Sequence, residues 1–155
     1  MSGYFFDTSA LAKLYHPEIG TPKVVQIVGA AGAQIRISRL TVVELRSVFA
    51  IKVRTQVVSR EDVSLLMRQF QEDVVSRRFH VFAVHESEFA LAERLIEQHG
   101  HHKRLRTLDA VQLAVALGLK NQGLIDHFVA ADAALCEVAA LVGLSILDPE
   151  HPSDA

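Results

Sequence analysis

Apolar residues along the chain follow two rhythms, dense short runs and stripes about three to four residues apart, and each change of rhythm marks an element boundary. Tyr4-Phe5-Phe6 predicts a strand ending at Asp7-Thr8-Ser9; Leu11, Leu14 and Tyr15 then recur at helical spacing until His16-Pro17 breaks the pattern. Thr21-Pro22 opens a second helix carrying Val24, Val25 and Val28, which stops in the glycine-bounded stretch 29–32 before a short strand over 34–37. Thr41 is expected to open a long helix with Val42, Leu45, Phe49 and Val53. Ser59 starts another in capping-box style, leading into Val63, Leu66, Met67 and Phe70.

In the second half, β-branched and aromatic content favours a strand over 79–84. A helix over about 86–98 is expected to end at Gly100 as a left-handed cap. Thr107 is read as the cap of the next helix, with Leu108, Val111, Val115 and Leu119 as its buried stripe. A strand over 125–129, a helix over 132–141 and a last strand over 144–147 complete the series. Strands alternating with helices across short turns predict an α/β fold: a mostly parallel central sheet between two helical layers, three layers in all. At 155 residues and 50% hydrophobic content the chain suits one domain over 1–155, with 148–155 as a flexible tail.

Composition excludes some classes. Charged residues are 22% of the chain, which is ordinary for a globular protein. Cys136 is the single cysteine, so no disulfide forms within the chain and a reducing cytoplasm fits. The apolar start lacks a basic leader and a small-residue cleavage site, and runs such as 110–119 fall short of the roughly 18 residues a membrane span needs, so no membrane partner is expected.

A net charge of −2 at first argues against nucleic acid. Setting four candidate site acids aside from the eighteen leaves fourteen against sixteen bases, so the remainder is positive. Between residues 31 and 60, Arg36, Arg39, Arg46, Lys52, Arg54 and Arg60 accompany one acid, Glu44. Arg77-Arg78 and Lys103-Arg104-Leu105-Arg106 add two clusters, so a basic rim around an acidic centre is one reading and solvated surface charge the other.

The four acids are Asp7, Glu44, Asp109 and Asp132. Asp7 ends the first strand, Asp132 follows a later one, and Glu44 and Asp109 fall in predicted first turns of helices, where ligands gather in sheets of this kind. Each alone is also accounted for as a cap, and Thr41-Val-Val-Glu44 matches a capping box. Together they change the balance: carboxylates meeting at one point repel unless a divalent cation lies between them, and Mg²⁺ and Mn²⁺ favour all-oxygen sites.

Four segments carry a resemblance: Phe6-Asp7-Thr8-Ser9-Ala10-Leu11, Ser38-Arg-Leu-Thr41-Val-Val-Glu44-Leu45, Leu105-Arg-Thr107-Leu-Asp109-Ala110, and Phe128-Val-Ala-Ala-Asp132 with Leu135 after it. In this order, over nearly the whole chain, they resemble the PIN-domain family, and within it the ribonuclease toxins of VapBC toxin-antitoxin pairs. The resemblance implies a three-layer PIN-like domain and a Mg²⁺-dependent endoribonuclease, with Mn²⁺ as substitute. Asp7, Glu44, Asp109 and Asp132 would hold the metal, and Ser9 would support the first acid or a water. It also implies an RNA substrate, an antitoxin that covers the active-site groove, and a homodimer; apolar residues of the helices from Val42 to Phe70 are the candidate surface for either protein contact. One departure is Ala130, where many relatives carry Thr or Ser two residues before the last acid.

Other chemistries are less well supplied. His99, His101 and His102 cluster after a glycine but lack a fourth ligand at zinc spacing. There is no phosphate-binding glycine loop of the Walker type and no Gly-x-Ser-x-Gly elbow. A receiver-type signalling domain would need an adjacent acid pair after the first strand, which is missing. A catalytically silent PIN-like interaction module, its acids serving as caps, remains the alternative.

Overall fold

In the computed structural model, which describes residues 1–152, the elements follow in the order β1 (Gly3–Phe6), α1 (Thr8–Tyr15), α2 (Thr21–Gly29), β2 (Gln34–Ser38), α3 (Arg39–Arg54), α4 (Arg60–Val75), β3 (Phe79–Phe82), α5 (Glu86–His99), α6 (Thr107–Asn121), β4 (His127–Val129), α7 (Ala133–Leu141) and β5 (Ile146–Leu147). The sheet runs β3-β2-β1-β4-β5 with every pairing parallel. β1 is therefore central, although it comes first in sequence among the five.

Alternation along β1 builds the layers. Phe5 and Phe6 are both fully buried but face opposite sides of the sheet, as neighbours on a strand must. Phe5 stacks on its register partner Phe128 at 5.7 Å and joins a core with α5, α6 and α7 through Leu95, Leu113 and Val138. Phe6 joins the other core, against α1 to α4, with Leu11, Val24, Leu45, Phe49 and Phe70. The result is a three-layer α/β/α fold with a parallel sheet. No helix among the described residues is long and apolar enough to cross a membrane.

Several boundaries differ from the sequence expectation for local reasons. The strand expected over 125–129 is shorter because Asp126 leaves the ladder: its Oδ2 accepts from Gly3 N at 2.8 Å while its own N–H donates to Gly3 O. Gly100 is not left-handed, since its φ is −66°. Glycine is needed there because a Cβ would lie 2.7 Å from Ile96 O. Thr107 is the first residue of α6 rather than its cap, Arg106 holding the cap position. Leu108 leaves the buried stripe, being 47% exposed, while Val111, Val115 and Leu119 are buried as expected.

In the segment expected to be a loose tail, Pro149 is buried and Glu150 accepts from Lys13 Nζ at 2.9 Å; residues 153–155 of that segment lie outside the described residues. The same ammonium pairs with Glu18 at 3.2 Å, so Lys13 is nearly buried yet doubly matched. Cys136 donates to Ala130 O, and burial pushes its thiol up to about 12, which keeps it unreactive at neutral pH.

Candidate active site

Because all five strands run the same way, the loops leaving their carboxyl ends share one edge of the sheet. Asp7, Ser9, Glu44, Asp109 and Asp132 all line one cleft of about 970 Å³ there. The four acids come from four separate segments.

Asp7 is fixed from both sides. Its backbone N–H donates to Val129 O at 3.0 Å, tying it to β4, and its side chain caps α1 by accepting from Ala10 N at 3.0 Å. Ser9 Oγ donates to the same carboxylate, 2.8 and 2.9 Å from its two oxygens. Only 6% of Asp7 is exposed, and burial is the largest influence on it: its pKa is raised from 3.8 to about 7, opposed by the Ala10 and Ser9 hydrogen bonds and reinforced by the charges of Asp109 and Glu44. A carboxylate so placed is ionised at neutral pH only in part, unless positive charge meets it.

Glu44 is not in a capping box. Ser38 caps α3, accepting from Thr41 N at 3.3 Å, so the helix begins at Arg39 and Glu44 falls in its second turn. Two hydroxyl-bearing residues, three apart, compete for one cap, and the earlier one takes it. Freed from capping, Glu44 accepts at Oε1 from Thr8 Oγ1 and from Gln112 Nε2, each at 2.8 Å. Among the described residues no donor bonds Oε2, which stays available to a cation.

Asp109 lies in the first turn of α6, and its Oδ2 is 3.4 Å from Arg106 Nε. Asp132 caps α7, accepting at Oδ1 from Leu135 N at 3.0 Å, and its Oδ2 is 3.6 Å from Arg106 Nη2. One guanidinium thus spans two of the acids. Ala130, fully buried beneath Asp132, offers no hydroxyl.

Sequence reading missed Gln112. It is 2% exposed; its Oε1 accepts from Ser38 Oγ at 2.8 Å, and its Nε2 lies 2.8 Å from Thr41 Oγ1 and from Glu44 Oε1 and 3.3 Å from Thr8 Oγ1. This amide locks the position of Glu44 from across the cleft. The available signal was a lone polar side chain in the apolar run 110–116, three residues after Asp109.

The donor set fits Mg²⁺ or Mn²⁺ in kind, being all oxygen, and the mutual repulsion at Asp7 is the sort a divalent cation relieves. The acids surround the cleft rather than close on a point. Among the described residues the one trio with ligand atoms all within 4.8 Å of each other is Asp148, Glu150 and His151. That trio is accounted for by a local turn, in which Asp148 accepts from Glu150 N and meets His151 Nδ1, and by the pairing of Glu150 with Lys13. The histidines 99, 101 and 102 form no such group. Of the expected basic rim, Arg106 alone is among the lining residues.

The sequence matches the PIN domain family over residues 4–141. No curated protein matches it. Among solved structures it is similar to FitAcB from Neisseria gonorrhoeae, with a TM-score of 0.66 and 18% identity over 96% of this chain and 99% of that one. The Mycobacterium tuberculosis toxin VapC20 aligns with a TM-score of 0.65 and 16% identity, covering 91% and 95% of the two chains. A toxin-antitoxin complex from Klebsiella pneumoniae gives 0.58 and 16%, covering 94% and 97%. At these identities the structures speak for the fold, and the family match covers most of the chain. This chain belongs to the PIN-domain family.

Proposed function

We propose that the protein is a divalent-metal-dependent endoribonuclease of the cytoplasm, acting as the toxin of a toxin-antitoxin pair. The observation that carries this is the meeting of Asp7, Glu44, Asp109 and Asp132, from four distant segments, in one cleft at the carboxyl edge of the sheet. The similar VapC20 is described as a toxin that cleaves the sarcin-ricin loop, which supports RNA as the substrate. The Klebsiella structure is a toxin-antitoxin complex, which supports an antitoxin partner.

In this reading the four acids hold Mg²⁺, or Mn²⁺ in its place. A divalent cation there supplies Lewis acidity and positive charge for in-line attack of water on a phosphodiester. The chain's own residues do the placing. Ser9 and Ala10 aim Asp7, Thr8 and Gln112 hold Glu44 by one oxygen, and the helix starts of α6 and α7 present Asp109 and Asp132. Products would carry 5′-phosphate and 3′-hydroxyl ends.

Val43 and Ile51, 60% and 46% exposed, form an apolar wall beside the acids and suit contact with an antitoxin segment. Val57 and Leu65, 57% and 59% exposed, suit a second copy of the chain in a homodimer. Leu45, Phe49 and Phe70, within the same stretch, are core.

The rival reading, an inactive interaction module, draws on the capping bonds of Asp7 and Asp132. Incubation of the purified protein with total RNA and Mg²⁺, with and without EDTA, separates the two. The nuclease reading expects cutting that EDTA stops and Asp7→Asn abolishes. Cutting by Asp7→Asn at the wild-type rate sinks it.

A further inference from the structure

Among the described residues lining the cleft, Arg106 is the one Lys or Arg. Among the described residues, the other Lys and Arg side chains paired with carboxylates are committed elsewhere: Lys13 to Glu18 and Glu150, Lys52 to Glu18, Arg78 to Asp73, and Lys103 to Glu137. Arg106 differs from them in having two acids of the cleft as its partners. Its Nε is 3.4 Å from Asp109 Oδ2 and its Nη2 is 3.6 Å from Asp132 Oδ2, with 61% of the side chain exposed. Ion pairs of that length and exposure hold weakly. Its backbone is firm by contrast, because its carbonyl accepts from Ala110 N at 3.0 Å at the start of α6. The side chain can therefore turn about a fixed base, and both donors on Nη1 are uncommitted among the described residues.

A phosphodiester strand entering this cleft meets carboxylates on several sides. Its own charge needs a cation besides any held by the acids, and a guanidinium matches two phosphate oxygens with parallel donors. Resting on the nuclease reading, we propose that Arg106 binds the phosphate of the nucleic-acid substrate, and that it competes with the divalent cation for Oδ2 of Asp109 and of Asp132. The two roles are linked. A cation on those oxygens releases the guanidinium toward the strand, so metal and substrate load in a mutually supporting way.

The consequence is a variant that moves two affinities in opposite directions. Arg106→Ala is expected to bind Mn²⁺ about two- to fivefold tighter by calorimetry, since the competing charge is gone. The same variant is expected to bind a single-stranded oligoribonucleotide, titrated in Ca²⁺ and checked intact afterwards, about tenfold more weakly. Its slope of log affinity against log salt is expected to be shallower by about 0.7, the loss of one phosphate contact on a single strand. Arg106→Lys keeps the charge and is expected to restore the slope while recovering part of the affinity. An alanine variant equal to wild type in both titrations, or a lysine variant as shallow in slope as alanine, overturns the role of Arg106 and leaves the nuclease reading standing if wild type binds and cuts. Failure of the wild-type protein to bind or cut the oligonucleotide overturns both.

Discussion

Replacing Asp7 with asparagine tests the site through stability as well as through cutting. Asparagine keeps the shape and caps a helix about as well as aspartate, so the bond from Ala10 N and that from Ser9 Oγ have an acceptor to go to. What it removes is a buried ionisation. A pKa raised from 3.8 to about 7 corresponds to about 4 kcal/mol held against the charged form at high pH. Because the folded value lies above the unfolded one, this group's contribution is full below about 3.8 and is lost as pH rises to about 7. The added amide N–H groups need acceptors of their own, which cuts the gain to about 2 kcal/mol. For a chain of this size that is about 4–8 °C in Tm. The assay is thermal unfolding by circular dichroism in EDTA, at about pH 5 and about pH 8. Asp7→Asn is expected to be more stable than wild type at the higher pH, with the gap narrowing at the lower one, while RNA cleavage in Mg²⁺ is lost. A cap without further duty would leave both stability and activity near wild type. Equal melting at both pH values would refute the claim that Asp7 is a strained buried charge.

Gln112→Leu fills the same space but strands the Ser38 hydroxyl and removes one of the two donors to Glu44. It is expected to cost about 1–3 kcal/mol by chemical denaturation, and to weaken Mn²⁺ binding about ten- to a hundredfold by calorimetry. Lys13→Met removes the buried ammonium that joins Glu18 to Glu150. The expected cost is about 1–3 kcal/mol, with faster proteolysis near residues 148–150 and unchanged metal affinity.

Much of the architecture was legible because the core obeys simple periodicities. Phe5 and Phe6 announce a strand buried on both faces, and the stripe Val111, Val115, Leu119 announces a helix against it. Local competition was harder to read. Ser38 and Thr41 both suit a cap and both have a hydrogen-bonding residue three positions on, so the sequence pattern fits either start; the choice falls to Ser38 because Gln112, 74 residues away, takes its hydroxyl proton. Leu108 keeps the helical spacing of its stripe, yet it sits where α6 begins and the core has ended, beside the cleft. Asp7, Asp109 and Asp132 stand at a strand end and at helix starts as read, while Glu44 lies one turn further into its helix than the pattern suggested. The parts of the site that hold these acids were not legible, since Arg106 reaches Asp132 and Gln112 reaches Glu44 through pairings that only the assembled sheet brings about.

The central place of β1 bears on when the four acids can meet during synthesis. Asp7 leaves the ribosome before the other three acids, but the strand that carries it is flanked by β4, and its own amide is satisfied by Val129. Contacts this distant in sequence form late, after the intervening chain has been ordered. A nascent chain exposed only as far as α5 therefore lacks the partner that seats Asp7, and lacks Asp109 and Asp132 altogether. On the nuclease proposal, synthesis itself delays the assembly of the cleft until β4 and the start of α7 have left the exit tunnel, so the acids stay apart while the chain between them is being made.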